Sequence, residues 1–142
     1  MKKNTLIISV ILVMTGLLIW SSGCKKDEGP SPDYLIQIDS IVFADTIKVT
    51  DTLSVKFYGE IGTDDCYKFE RFEKIDLDES DPANSMKLKV WGKHEDTGDC
   101  NPGIVYLDGA EIRITGMAKG NFNIFVVQPD GTIMVGLVFV EE

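Results

Sequence analysis

Histidine is nearly absent from this chain: His94 stands alone among 142 residues. Basic side chains are also scarce, with 14 lysines and arginines against 23 aspartates and glutamates and a formal charge of −9. Phosphate recognition needs clustered cations, so nucleic acid is excluded as an expected partner. There is no glycine-rich phosphate loop and no Gly-x-Ser-x-Gly sequence. Gly59, Gly62, Gly116 and Gly120 fall where strand ends and turns are expected. No ten-residue window carries a capped apolar stripe at helical spacing. Cysteines number only three, Cys24, Cys66 and Cys100.

What is present begins with a leader. Met1-Lys2-Lys3-Asn4 is basic, and Leu6 to Trp20 is apolar apart from Ser9, Thr15 and Gly16. About 15 residues make about 22 Å of helix, short of a hydrocarbon core of about 30 Å. Residues 1–23 therefore read as a secretory signal rather than a membrane span. Ser21-Ser22-Gly23-Cys24 closes the run. Small residues before a cysteine resemble the bacterial lipobox, with Ser21 where leucine is usual. The resemblance implies a diacylglyceryl group on the Cys24 thiol, cleavage just before it and acylation of the new amino terminus.

Lys25-Lys26-Asp27-Glu28 follows. It is similar to the lysine-plus-acid export tag on surface lipoproteins of Bacteroidetes-type bacteria. That resemblance implies an outer-membrane, lipid-anchored protein facing the cell exterior. One acyl chain holds marginally, whereas two or more hold stably. Loss of residues 1–23 removes Lys2 and Lys3 and no acid, leaving 12 basic and 23 acidic residues, or −11. Such a surface keeps a domain soluble and is repelled by anionic lipid heads, so the expected membrane contact is the lipid on Cys24.

Residues 24–33, with Gly29, Pro30 and Pro32, read as the lipidated cysteine and a flexible tether. Residues 34–142 suit one domain. With Cys24 assigned to lipid, Cys66 and Cys100 form an even pair, expected as a disulfide in an exported domain. Closing a loop of about 34 residues contributes about 3–4 kcal/mol in the chain-entropy model. No cofactor is expected.

The body reads as strands. Tyr34 to Phe43 is apolar with polar interruptions. Leu53, Val55, Phe57 and Ile61 alternate with Ser54, Lys56, Tyr58 and Glu60. Met86, Leu88 and Val90, then Ile112 and Ile114, then Phe122, Ile124 and Val126 keep the same two-residue period. So do Ile133, Val135, Leu137 and Phe139, but Phe125, Val127, Met134, Val138 and Val140 fill the opposite phase. Apolar residues on both phases predict either a central strand or contact with something else. Asp108-Gly109 predicts a tight hairpin, Pro129-Asp130-Gly131 a turn joining the last two strands, and Asn101-Pro102-Gly103 another turn. Asp76 to Ser85 is polar and reads as a long loop. The expected fold is all-β: a single antiparallel sandwich of about seven to nine strands. Asp45 to Leu53 with its following strand resembles the opening of bacterial Ig-like domains, and Gly120 to Val126 with the final turn and strand resembles their closing hairpin. The spacing of Cys66, Trp91 and Cys100 departs from antibody domains, so the bridge is expected to pin a strand start to a nearby loop.

Chemistry is thinly signalled. His94 and Cys100 share one polar loop, a pairing that offers a nucleophile and a base. With Cys66 and a carboxylate they also make a conceivable zinc set. Asp76, Asp78, Glu79 and Asp81 offer oxygens for calcium without the glycine and closing glutamate of an EF-hand loop. Each is better read as solvated polar chain. Tyr58 and Trp91 lie on the phase opposite the apolar residues of their strands. Such residues more often pack under loops or a second face, and where exposed they are the candidate contacts for a sugar ring or a protein partner. The expected function is a non-catalytic binding or structural module on the cell surface, contacting a protein or a glycan. Two other readings are a small hydrolase or metal-dependent enzyme using His94 and nearby acids, and a carbohydrate-binding module or inhibitor.

Overall fold

A computed structural model describes residues 33–96 and 98–142. Nine strands follow in order: β1 (Tyr34–Leu35), β2 (Ser40–Val42), β3 (Thr46–Lys48), β4 (Leu53–Asp64), β5 (Tyr67–Ile75), β6 (Ser85–His94), β7 (Pro102–Ile114), β8 (Gly120–Val127) and β9 (Ile133–Glu141). They build two sheets. The smaller runs β2-β4-β7; the larger runs β1-β6-β8-β9-β3, with β5 along the other side of β6. The chain is all-β among the described residues, as the two-residue period predicts.

Alternation explains how the sheets meet. Leu53, Val55 and Phe57 of β4 face Leu88 and Val90 of β6, Ile124 and Val126 of β8, and Val138 and Val140 of β9; all are essentially inaccessible to water. Each such side chain contributes about 1.5–3 kcal/mol by leaving water. The Phe57 ring packs on Phe72 of β5 with centroids 4.9 Å apart.

The larger sheet is mixed, not wholly antiparallel as expected. β6 and β8 run parallel, Ser85 to Leu88 against Asn123 to Val126, and β3 runs parallel to β9. The cause is β7. β7 lies in the smaller sheet beside β4, so the chain crosses over after β6 and returns as β8 beside β6 in the same direction, the crossover that parallel neighbours require.

The stretch Tyr34 to Phe43 is not one strand. The Ile36 N–H donates to the Val90 carbonyl in one sheet, whereas the Asp39 N–H donates to Tyr58 in the other. Residues 36–39 thus cross between the sheets, with Ile36 and Ile38 fully buried.

Two turn expectations also fail. Asp108-Gly109 lies inside β7, where Phe57 opposes Ala110 but Tyr58 opposes Asp108, so Gly109 is the extra residue of a bulge. Its φ of 75° is the left-handed value that a tight hairpin would also demand, so the dipeptide fits both structures. Pro102 opens β7 rather than making a turn, and a strand's first position needs no donor from proline. The third turn is as expected: the Gln128 N–H donates to Thr132, and the Asp130 carboxylate accepts from both the N–H and the hydroxyl of Thr132.

Candidate functional site

Cys24 and the tag Lys25, Lys26, Asp27 and Glu28 lie outside the described residues. Cys66 and Cys100 are joined as a disulfide, with Cα atoms 5.5 Å apart. The bridge ties the β4–β5 corner to the segment entering β7, the strand-start-to-loop link expected. Asp65 reinforces it by accepting from the Asn101 N–H and Nδ2, each at 2.8 Å. Those hydrogen bonds, the side-chain one first, hold the Asp65 carboxyl below its usual range.

Around this corner the ligand atoms of Asp64, Asp65, Cys66 and Cys100 all lie within 4.8 Å of one another. His94 is close, its Nε2 3.3 Å from Asp64 Oδ1 and its ring 4.3 Å from that of Tyr67. The fold therefore gathers the residues of the zinc and nucleophile readings. The chemistry still does not follow, because zinc and nucleophilic attack both need thiolates and these sulfurs are spent on each other. Asp65 is likewise committed to Asn101.

The acidic loop meets a similar end. The Lys87 ammonium reaches the carboxylates of Asp78, at 2.5 Å, and Asp81, at 3.1 Å. A side chain of β6 fills the position that a calcium ion would take. The loop after β5 folds over Lys87 and buries it, and both carboxylates raise the lysine's pKa, Asp78 more strongly.

Trp91 and Tyr58 both point outward, as their phase predicts. They belong to different sheets and hence to opposite sides of the sandwich, so they form no common site. Trp91 is already engaged. Its Nε1 donates to Glu73, the Arg71 guanidinium lies 5.3 Å from its ring centre, and the Lys89 ammonium lies at 5.9 Å. Cations cover the face a sugar ring would use. Tyr58 shares its face with Tyr106 of β7, which is 61% exposed and which the sequence reading did not single out. The clue was the outward phase of Tyr106 beside Val105 and Leu107.

The largest unexplained feature is on β9. Its inward residues are Met134, Gly136, Val138 and Val140. At Gly136 an added Cβ would lie 2.8 Å from the Phe43 ring and 2.9 Å from Ile41, so these side chains pack directly beneath the strand on this phase. The other phase is left in water. Ile133, Val135, Leu137 and Phe139 form one exposed column, with Val135 59% and Leu137 53% accessible. Phe125 and Val127 of β8 stand opposite Val135 and Ile133 and widen it. From Ile133 to Val140 the strand carries no charge. The double-phase apolar pattern signalled this column without fixing which phase would face out.

Comparison with known proteins adds no relative: no family model, curated protein or solved structure matches the chain.

Proposed function

We propose that the protein is a lipid-anchored, non-catalytic surface module that binds through the outer face of β8 and β9. The exposed apolar column Ile133, Val135, Leu137 and Phe139 carries the reading. Single exposed apolar residues are ordinary, but a contiguous uncharged column on an anionic protein marks a contact surface. The anchor is acylated Cys24, and Lys25 to Glu28 direct the domain outward to the cell exterior. The antiparallel pairs β4–β7 in one sheet and β8–β9 in the other support an Ig-like reading of the sandwich, and the parallel β6–β8 pair departs from that type.

The test of address is the native amino terminus. Mass spectrometry is expected to find acylated Cys24 as the first residue, and detergent partitioning is expected to disappear in Cys24→Ser. An intact leader or a bare sulfur overturns the anchor. The test of surface export is protease access on intact cells, expected for the parent chain and lost when Lys25 to Glu28 are neutralised. The test of function is a pull-down with the full chain, whose captured partner is expected to be lost with Val135→Lys and Leu137→Lys. A partner retained by both variants overturns the β9 face as the contact.

A further inference from the structure

We infer that β9 is a self-association edge, and that two copies of this chain pair their β9 strands antiparallel to continue the larger sheet across a two-fold axis. The inference rests on the reading of β9 as the contact face and names its partner; acylation of Cys24 stands or falls separately.

The backbone supplies the first reason. β3 covers the outer edge of β9 only at Phe139, Val140 and Glu141. N-terminal to these, no strand among the described residues pairs with that edge. The Phe139 N–H donates to Asp45 and the Glu141 carbonyl accepts from Val49, so the odd-numbered residues turn their peptide groups away from β8. Backbone direction alternates along a strand. Ile133, Val135 and Leu137 therefore present N–H and C=O groups toward the open edge, and the same three residues carry the exposed side chains.

The second reason is the lack of protection. Open edges are normally blunted by charge, proline or brevity. β2 has three residues, β5 carries Lys68, Glu70, Arg71, Glu73 and Lys74, and β7 carries Pro102, Asp108, Glu111 and Arg113. β9 has none of these devices between Ile133 and Val140.

The third reason is charge and symmetry. Copies of a chain with a net charge of −9 repel across most surfaces. A charge-free strand is where that repulsion is least, and antiparallel pairing about a two-fold makes the strand its own complement. Centring the axis on Val135 uses the whole open edge. Val135 then faces the partner's Val135, and Ile133 faces the partner's Leu137. All three odd positions become hydrogen-bonded pairs, and their apolar side chains form one column across the junction.

Site-specific crosslinking of the full chain tests this. In hydrogen-bonded antiparallel pairs the Cα atoms are about 5.5 Å apart, within the span of a disulfide. Val135→Cys is expected to give a covalent dimer under mild oxidation. The parent chain and Ile104→Cys, equally exposed on the other sheet, are expected to give none. In light scattering of the full chain, Val135→Lys is expected to raise the dissociation constant at least about tenfold, with an unchanged circular dichroism spectrum. Equal crosslinking at both positions, or a parent chain that stays monomeric as concentration rises, overturns the proposal. So does a monomer whose β9 face binds neutral phospholipid vesicles or a foreign strand, although the contact-face reading would survive that result.

Discussion

The Gln128 side chain serves Ile38 as a neighbouring strand would. Its Oε1 accepts from the Ile38 N–H at 3.0 Å and its Nε2 donates to the Ile38 carbonyl at 3.2 Å. Ile38 lies in the segment that crosses between the sheets, where no strand is available to pair it. Both residues are buried, so water cannot replace the bonds.

Gln128→Leu should therefore orphan both peptide groups of Ile38. Each unpaired buried group costs about 1–3 kcal/mol. The denaturant midpoint is expected to fall at constant m-value. A midpoint within error of the parent would mean that the crossing segment finds other partners.

Close approach at Gly59 gives a second expectation. A Cβ there would sit 2.2 Å from the backbone oxygen of Gln37. Backbone has to move, so Gly59→Ala should cost about 1–3 kcal/mol, the usual scale of overpacking. Gly103→Ala meets nothing within 4 Å and should leave the melting temperature unchanged.

The larger outline of this fold was legible because β4, β6 and β8 each keep one clean apolar phase. The Cys66–Cys100 bridge was legible from parity once Cys24 was set aside. Other features depend on contacts distant in sequence. The inward phase of β9 packs on residues far away in the chain, with Phe43 and Ile41 lying under Gly136. Lys87 is buried because the loop before β6 folds back over it. Asp108-Gly109 misled because a bulge and a hairpin ask the same φ of glycine. Tyr58 and Trp91 each pointed outward as read, but alternation within one strand cannot say which sheet that strand joins.

The disulfide closes a loop of separation 34. Replacing Cys66 and Cys100 together by Ser should cost about 3–4 kcal/mol, and reduction of the parent should retard it on a denaturing gel. A double variant as stable as the parent would mean that the hydrogen bonds from Asn101 to Asp65 hold the corner without the bridge.

Stability should fall at both pH extremes, for nameable reasons. Burial, with Tyr67 adding, pushes the Tyr34 phenol from 10.0 up to about 12. The folded state keeps that proton more firmly, so the contribution is complete below about pH 10 and is lost as pH rises through about 12. A late phenolate absorbance phase is expected, missing in Tyr34→Phe. At the acid end, hydrogen bonds from Lys68 and then Lys93 bring Glu95 down from 4.5 to about 2. Its contribution is present above about pH 4.5 and disappears as pH falls through about 2. Glu95→Gln is expected to flatten this limb of the stability profile.

The parallel pairing of β3 with β9 sets an order on the assembly of the sandwich. β3 lies early in the described chain, but its sheet partner, Phe139 to Glu141, belongs to the last of the nine described strands. Both bridge cysteines precede β8 and β9 in the chain. A covalent clasp can thus close on a half-built sandwich before β9 gives β3 its place in the larger sheet.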